Sequence, residues 1–466
     1  MRIIIAVLIV VLFMSGCSEP LKSGVEGMQA LKIGEDKRSI VTADGKPFFW
    51  LGDTGWLLFV KLNREEIAQY MAIRKEQGFN VVQVMTIHDV NNAVNVYGDS
   101  ALVNKNIAQP RTTEGADYKD SSQYDFWDHV DYAIDEAARN GIYMALVPVW
   151  GSNVKGGNIN QEQARTYAGF LAERYKNKPN IIWLNGGDIK GSDSLEVWKV
   201  LGSTLKQKDS AHLMTFHPRG RTSSSDWFHN EPWLDFNMFQ SGHKTYAQDT
   251  NSNETRHYGE DNWRYVVEDF NRQPAKPTID GEPSYEHIPY GLHDSLQPRW
   301  NDADLRRYAY WSVFAGGFGF TYGNNAVMQF HHKGDKDANF GVREEWEEDI
   351  NAAGAIQMAH LRKLMETYPG TRSPAQDLIA DNTGKQYKYI LATRGDKFLL
   401  AYTYTGAPIK LDRAKLGWEK IKTGWFNPRT GEFTKWIKSG AADILFAPIV
   451  PEEKNGNDWV LVVEPN

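Results

Sequence analysis

From about residue 47 the chain alternates short, unbroken apolar runs with longer stretches whose apolar residues recur at helical spacing, and it does so eight times. The short runs are Phe48–Asp53, Asn80–Thr86, Tyr143–Val149, Ile181–Asn185, Leu213–His217, Phe236–Gln240, Thr278–Glu282 and Gly319–Tyr322. A parallel strand covered by helices on both faces is apolar along its whole length, and these runs have that character. Helical patterns lie between them at Arg64–Gln77, Phe126–Asn140, Gln161–Tyr175, Leu195–Lys206, Trp263–Asn271, Leu305–Phe314 and Glu344–Tyr368; the fifth connection, Arg219 to Asp235, is irregular. Repeated strand–helix units over about 300 residues predict an α/β fold, a TIM (β/α)8 barrel, rather than an open sheet. Beyond Pro369 the alternation stops. Tyr387–Thr393, Lys397–Tyr404, Ile421–Asn427, Phe433–Ile437 and Trp459–Glu464 are strand-like and turn-separated, which predicts a small all-β sandwich.

The N-terminus reads as processing information. Arg2 precedes the apolar run Ile3–Phe13, and Met14-Ser15-Gly16-Cys17 ends in small residues before a cysteine. That is the pattern of a lipoprotein signal with Cys17 as the lipidated residue; a membrane-spanning helix needs about 20 apolar residues and the run is too short. The expected organisation is a signal over 1–17, a tether over 18–31, the barrel over 32–370 and the β-domain over 371–466. The expected location is the bacterial cell envelope, anchored by lipid in the outer membrane.

Cys17 is the only cysteine, which excludes an internal disulfide and a cysteine nucleophile. A net charge of −7 without a long basic run excludes nucleic acid as a partner. The 16 Trp, 21 Tyr and 21 Phe suit the C–H faces of sugars, although most such rings belong to cores.

In a TIM barrel the chemistry sits in the loops after the strands. His88, His217, His243, His287, His331 and His332 are available there, but no HExxH pattern groups them, so no metal or cofactor is expected. Asp335-Lys336-Asp337-Ala338-Asn339 lacks the glycine and the distal glutamate of a calcium loop. No strand leads into a GxSxG elbow, and Gly316-Gly317-Phe318-Gly319 precedes a strand rather than following one. Paired carboxylates remain: Asp188 ends the fourth strand segment and Glu282 the seventh, across the barrel mouth from one another. Two such acids can cleave an acetal, one donating a proton to the leaving oxygen and the other facing the oxocarbenium-like centre. Taken singly, each acid could equally cap a helix or pair with a base.

Gly45-Lys46-Pro47-Phe48-Phe49-Trp50-Leu51-Gly52-Asp53-Thr54-Gly55-Trp56, together with Gly78-Phe79-Asn80-Val81-Val82-Gln83, resembles the start of the apiosidase-like barrels, glycoside hydrolase family 140. Asn185-Gly186-Gly187-Asp188 and Asp280-Gly281-Glu282-Pro283 resemble that family's catalytic segments. The similarity spans about residues 31–370, and the tail resembles the β-domain, labelled collagen-binding, that often follows. The resemblance implies a retaining enzyme that releases apiose-linked branches from pectin, a plant cell-wall polysaccharide, with Asp188 as acid/base and Glu282 as nucleophile.

Asp53, Trp56, His88, Trp150, Asn185, His217, Arg219, Gln240, His243, Asp280 and Tyr322 are expected to contact substrate, with Trp233 as a further stacking platform. A pectic substrate carries carboxylates, so cations are expected at the mouth: Arg219, Lys244, Arg299 and His287, unless these only pair with acids such as Asp226, Glu231 and Glu286. Two other readings stay open. One is a glycosidase for another sugar, an arabinofuranosidase or endo-glycanase; the other is a non-catalytic glycan- or matrix-binding lipoprotein.

Overall fold

The computed structural model describes residues 28–380, 384–440, 444–450 and 452–466. The lipoprotein signal with Cys17, and the tether up to residue 27, lie outside the described residues. Leu31, placed at the end of that tether, instead begins a three-stranded antiparallel sheet with Ile40–Thr42 and Pro47–Phe48, which leads into the barrel.

Eight parallel strands follow: β1 Trp50–Thr54, β2 Val81–Ile87, β3 Tyr143–Val149, β4 Ile181–Ile189, β5 Met214–Pro218, β6 Asn237–Gln240, β7 Thr278–Asp280 and β8 Gly319–Tyr322. Each pairs with the next except β5 with β6, and β8 returns to β1 in the register Gly319↔Trp50 to Tyr322↔Asp53. The remaining seam closes where Asp235 N–H reaches Met214 O at 2.8 Å and Thr215 Oγ1 donates to Phe236 O at 2.6 Å. A two-residue strand, Thr222–Ser223, runs antiparallel beside β6 and accounts for the irregular fifth connection.

The helices are α1 Arg64–Glu76, α2 Phe126–Arg139, α3 Gln161–Tyr175, α4 Leu195–Lys208, α5 Trp263–Phe270, α6 Asp302–Phe314 and α7 Ala353–Thr367. Asn63, Asp125, Asn160 and Asn301 start four of them with reciprocal capping boxes, which satisfy backbone N–H groups that the first turn leaves free. Val82, Val84, Met144 and Leu146 of the strands are fully buried against Met71, Val130, Ile134 and Leu171 of these helices.

The expected helix Glu344–Tyr368 is interrupted. A short turn, Trp346–Asp349, ends before extended Ala352, and α7 starts afterwards. The physical reason is competition for the backbone. Arg74 Nη1 and Gln77 Nε2 take the carbonyl of Ile350, while the Glu286 carboxylate accepts from Gly354 N–H at 3.1 Å and serves as cap to α7.

The tail forms a seven-stranded antiparallel sheet, with long strands β9 Leu391–Gly395, β10 Phe398–Thr403, β11 Ile421–Asn427 and β12 Trp459–Pro465. Where a full second sheet was expected, a two-stranded ribbon, Ile409–Lys410 with Leu445–Phe446, faces it among the described residues. The sheet docks on α6: Arg306 forms a two-pronged, buried ion pair with Asp458 at 2.9 and 3.0 Å, and Tyr310 stacks on Tyr402 at 4.9 Å.

Candidate active site

A cleft of about 570 Å³ opens at the C-terminal ends of the strands, and both Asp188 and Glu282 line it. Asp188 arrives there through an irregularity in β4. Gly186, Gly187 and Asp188 all have positive φ (93°, 106° and 46°), the pairing with β5 shifts between Gly186 and Ile189, and the carboxylate turns into the cleft. A Cβ on Gly187 would lie 2.5 Å from the Trp150 ring, so the close approach of strand and indole requires glycine. The alternative that Asp188 merely caps α4 does not arise, because Ser194 occupies that position.

Glu282 follows β7 and is buried. His243 Nε2 lies 3.0 Å from its Oε1 and His217 Nε2 lies 3.3 Å from its Oε2. The tautomers can be argued from the neighbours. His217 Nδ1 accepts the Asp188 backbone N–H at 3.3 Å, which leaves the proton of a neutral ring on Nε2, facing Glu282. Burial holds both imidazoles neutral, their pKa values depressed to about 3. Trp56 Nε1 donates to the Tyr285 hydroxyl at 3.1 Å, and Tyr285 lies beside Glu282, where it favours the carboxylate.

Burial pushes Glu282 up to about 8. Asp188 is raised too, by desolvation first and by the Glu282 charge second, with neighbouring Gln240 offsetting part of the rise; its opening to solvent at the cleft mouth tempers the effect. Two neighbouring carboxyls raised in this way share one proton near neutral pH. Deeper burial alone would put that proton on Glu282. The hydrogen bond from His243, with His217 Nε2 and Tyr285 close by, instead favours the ionised form of Glu282 and leaves the proton on Asp188.

Of the residues expected to meet substrate, Trp56, His88, Trp150, Arg219, Gln240 and His243 line the cleft. Trp56 and Trp150 meet at 5.3 Å between ring centres and form an aromatic wall, with the ring of His217 packed edge-on against Trp56. The other expectations need correction. Asp53 is fully buried below the site, where its Oδ2 takes Arg74 Nε at 2.6 Å and the Tyr70 hydroxyl. Asn185 turns away to hydrogen-bond the Trp198 carbonyl of α4 at 2.9 Å. His217 braces Glu282 and does not itself line the cleft. Asp280, raised to about 7 by burial, is held by Ser241 and Asn262 beneath the site. Tyr322 donates to Glu286, the cap of α7, and Trp233 is core, packed on Phe228 and Gly202.

Among the cations, Arg219 and Lys244 reach the cleft, joined by Arg221. Arg299 is pinned to the carbonyls of His287 and Gly341, and His287 pairs with Asp349 at 2.9 Å. Sequence reasoning missed Tyr285, Arg221, Met85, Leu292 and Phe340, all of which line the cleft. Tyr285, three residues beyond Glu282, carried a signal in its position; Met85 lies inside the apolar run of β2, and Arg221, Leu292 and Phe340 come from loops, none with a signal.

The model of the apiosidase-like catalytic domain matches residues 34–372, and a model described as the collagen-binding domain of a collagenase matches residues 373–464. A solved structure described as a glycoside hydrolase is 43% identical, with 94% of this chain and 97% of that one covered and a TM-score of 0.88. A family 5 glycoside hydrolase from Bacteroides vulgatus is 42% identical over 96% of this chain and 94% of its own, with a TM-score of 0.86. No curated protein matches the chain.

Proposed function

The chain belongs to the apiosidase-like glycoside hydrolases, and on that premise we propose that it releases apiose-linked branches from pectic polysaccharide by a retaining, two-step displacement. The observation that carries this reading is the convergence of Asp188 and Glu282 from different strand ends of the barrel into one cleft, with Glu282 hydrogen-bonded to His243 and flanked by His217 and Tyr285.

In the first step Glu282 attacks the anomeric carbon, the glycosidic C–O bond breaks, and the Asp188 proton goes to the departing oxygen. Glu282, now an ester, carries no charge. The repulsion that raised Asp188 disappears with it, and Asp188 becomes a base able to take a proton from the incoming water. Water then attacks the anomeric carbon and Glu282 leaves as carboxylate. Trp56 and Trp150 are the stacking surface for the sugar.

Arg219, Arg221 and Lys244 on the cleft wall support an anionic substrate. Arg219 approaches Glu254 only to 3.8 Å and is largely exposed, so it is available to a galacturonate carboxylate. The test is incubation with pectic oligosaccharides and identification of the released sugar, with Arg219→Ala and Lys244→Ala compared on anionic substrate and on a neutral aryl glycoside. Release of apiose, and losses confined to the anionic substrate that shrink with added salt, are expected. Release of arabinose or of backbone fragments instead would favour the other glycosidase readings. Attachment to the envelope through lipidated Cys17 belongs to the same proposal; a Cys17→Ala chain should lose incorporation of labelled fatty acid, and full labelling would contradict it.

A further inference from the structure

A second pocket, about 400 Å³, lies at the other end of the barrel. Its residues precede strands: Ile40 and Pro47–Phe49 lead into β1, and Gly316–Phe318 lead into β8. Met365 and Glu366 at the end of α7 and Pro369–Arg372 at the start of the tail complete it.

Apolar walls of Ile40, Phe48, Phe49, Phe318 and Met365 surround two guanidinium groups that each leave one buried N–H without a partner among the described residues. Arg38 lies 4.0 Å over the Phe270 ring, and its Nη1 is buried without a hydrogen-bond partner among the described residues. Arg372 donates from Nη2 to the Gly317 carbonyl at 2.8 Å, while its buried Nε has no partner. The acids nearby are already engaged. Asp36 accepts from Arg38 N–H, Ser39 N–H, the Ser39 hydroxyl and Thr371, and Glu366 pairs with Arg362 at 2.7 Å. A buried donor left unmatched destabilises a fold, so two such guanidiniums in one cavity call for an anion. Desolvation lowers both, Arg372 to about 10, and the nearby Asp36 charge offsets it only in part.

We propose that this pocket is a non-catalytic binding site for a carboxylate-bearing sugar, a uronic-acid residue, whose carboxylate meets Arg38 and Arg372 while its ring lies on the phenylalanine walls. A planar carboxylate matches the guanidinium fork, and the aromatic walls suit a sugar's C–H face. Asp36 and Glu366 at the rim disfavour a dianion such as phosphate. The inference goes beyond the reading of the cleft and does not depend on it, because the two sites lie at opposite ends of the barrel.

The test is calorimetric titration of the full chain with sodium galacturonate, galactose and inorganic phosphate, on the wild type, Arg38→Gln, Arg38→Lys and Arg219→Ala. A galacturonate binding event should appear in the wild type, stay within twofold in Arg219→Ala, and weaken at least tenfold in Arg38→Gln. Arg38→Lys should retain part of it. Glycosidase activity of Arg38→Gln should be unchanged, and its melting temperature reports that the fold is intact. The proposal is overturned if no galacturonate binding depends on Arg38, if galactose binds equally well, or if phosphate binds more tightly.

Discussion

Glu282 concentrates the energetics of the site in one side chain. Its carboxyl and that of Asp188, raised by burial to about 8 and about 7, share one proton in the folded chain at pH values where the unfolded chain, its glutamates titrating near 4.5, has already released it. The folded pair holds that extra proton between about pH 4.5 and 8, so its contribution to stability declines as pH rises through this range. Glu282→Gln cannot ionise. Its stability relative to the wild type should therefore be near zero at pH 4.5 and grow to on the order of 2–4 kcal/mol by pH 8, read as a widening gap between melting temperatures. The depressed His217 and His243 act in the opposite sense, costing stability below about pH 6.5; because both face Glu282, the gap between the two chains is read above that pH, where the imidazoles are neutral in either chain. Activity should fall at least about a thousandfold at every pH, as when a nucleophile acting within a unit is removed. A gap that does not change with pH would show that Glu282 is not held in this environment.

At the scale of elements, the eight strand segments were legible because a buried parallel strand leaves a continuous apolar run. What the strand ends do was less legible. Asp53, Asn185, Asp280 and Tyr322 stand at strand ends as Asp188 does, yet each is taken by a structural partner: Arg74, the Trp198 carbonyl, Ser241 with Asn262, and Glu286. Strand-end position alone does not say whether a polar side chain faces the cleft or the layer beneath, since that depends on partners far away in sequence. The break before α7 was hidden for the same reason, because Arg74 and Glu286 that impose it come from α1 and from the loop after β7. The irregular end of β4 makes its own prediction. Gly187→Ala would force a side chain into Trp150 at a φ of 106°, displacing the indole or Asp188. A shift of about 1 Å costs roughly a hundredfold in rate, so kcat/KM should drop by that order while circular dichroism stays near wild type. Unchanged kinetics would show that the glycine is not what aims Asp188.

Across the whole molecule, the sequence pattern separated a barrel from a β-rich tail but could not show how they are joined. The joint is a buried one, with Arg306 of α6 gripping Asp458 and Trp263 stacked on Tyr389 at 4.3 Å. Asp458→Ala would strand a buried guanidinium, left with Asp302 and Gln357 at the edge, and should cost about 3 kcal/mol in denaturant unfolding. An effect below about 0.5 kcal/mol, the size typical of a surface substitution, would mean the tail adds little to the barrel. The central claim, that Asp188 and Glu282 carry a double displacement, is tested most directly by trapping its intermediate. Asp188→Ala should react with an aryl apioside whose leaving group needs no protonation, and the second step should stall for want of a base. Intact-protein mass spectrometry should then show one added sugar residue, and peptide mapping should place it on Glu282. Steady turnover to an inverted sugar without any adduct, or an adduct on another residue, would contradict the account.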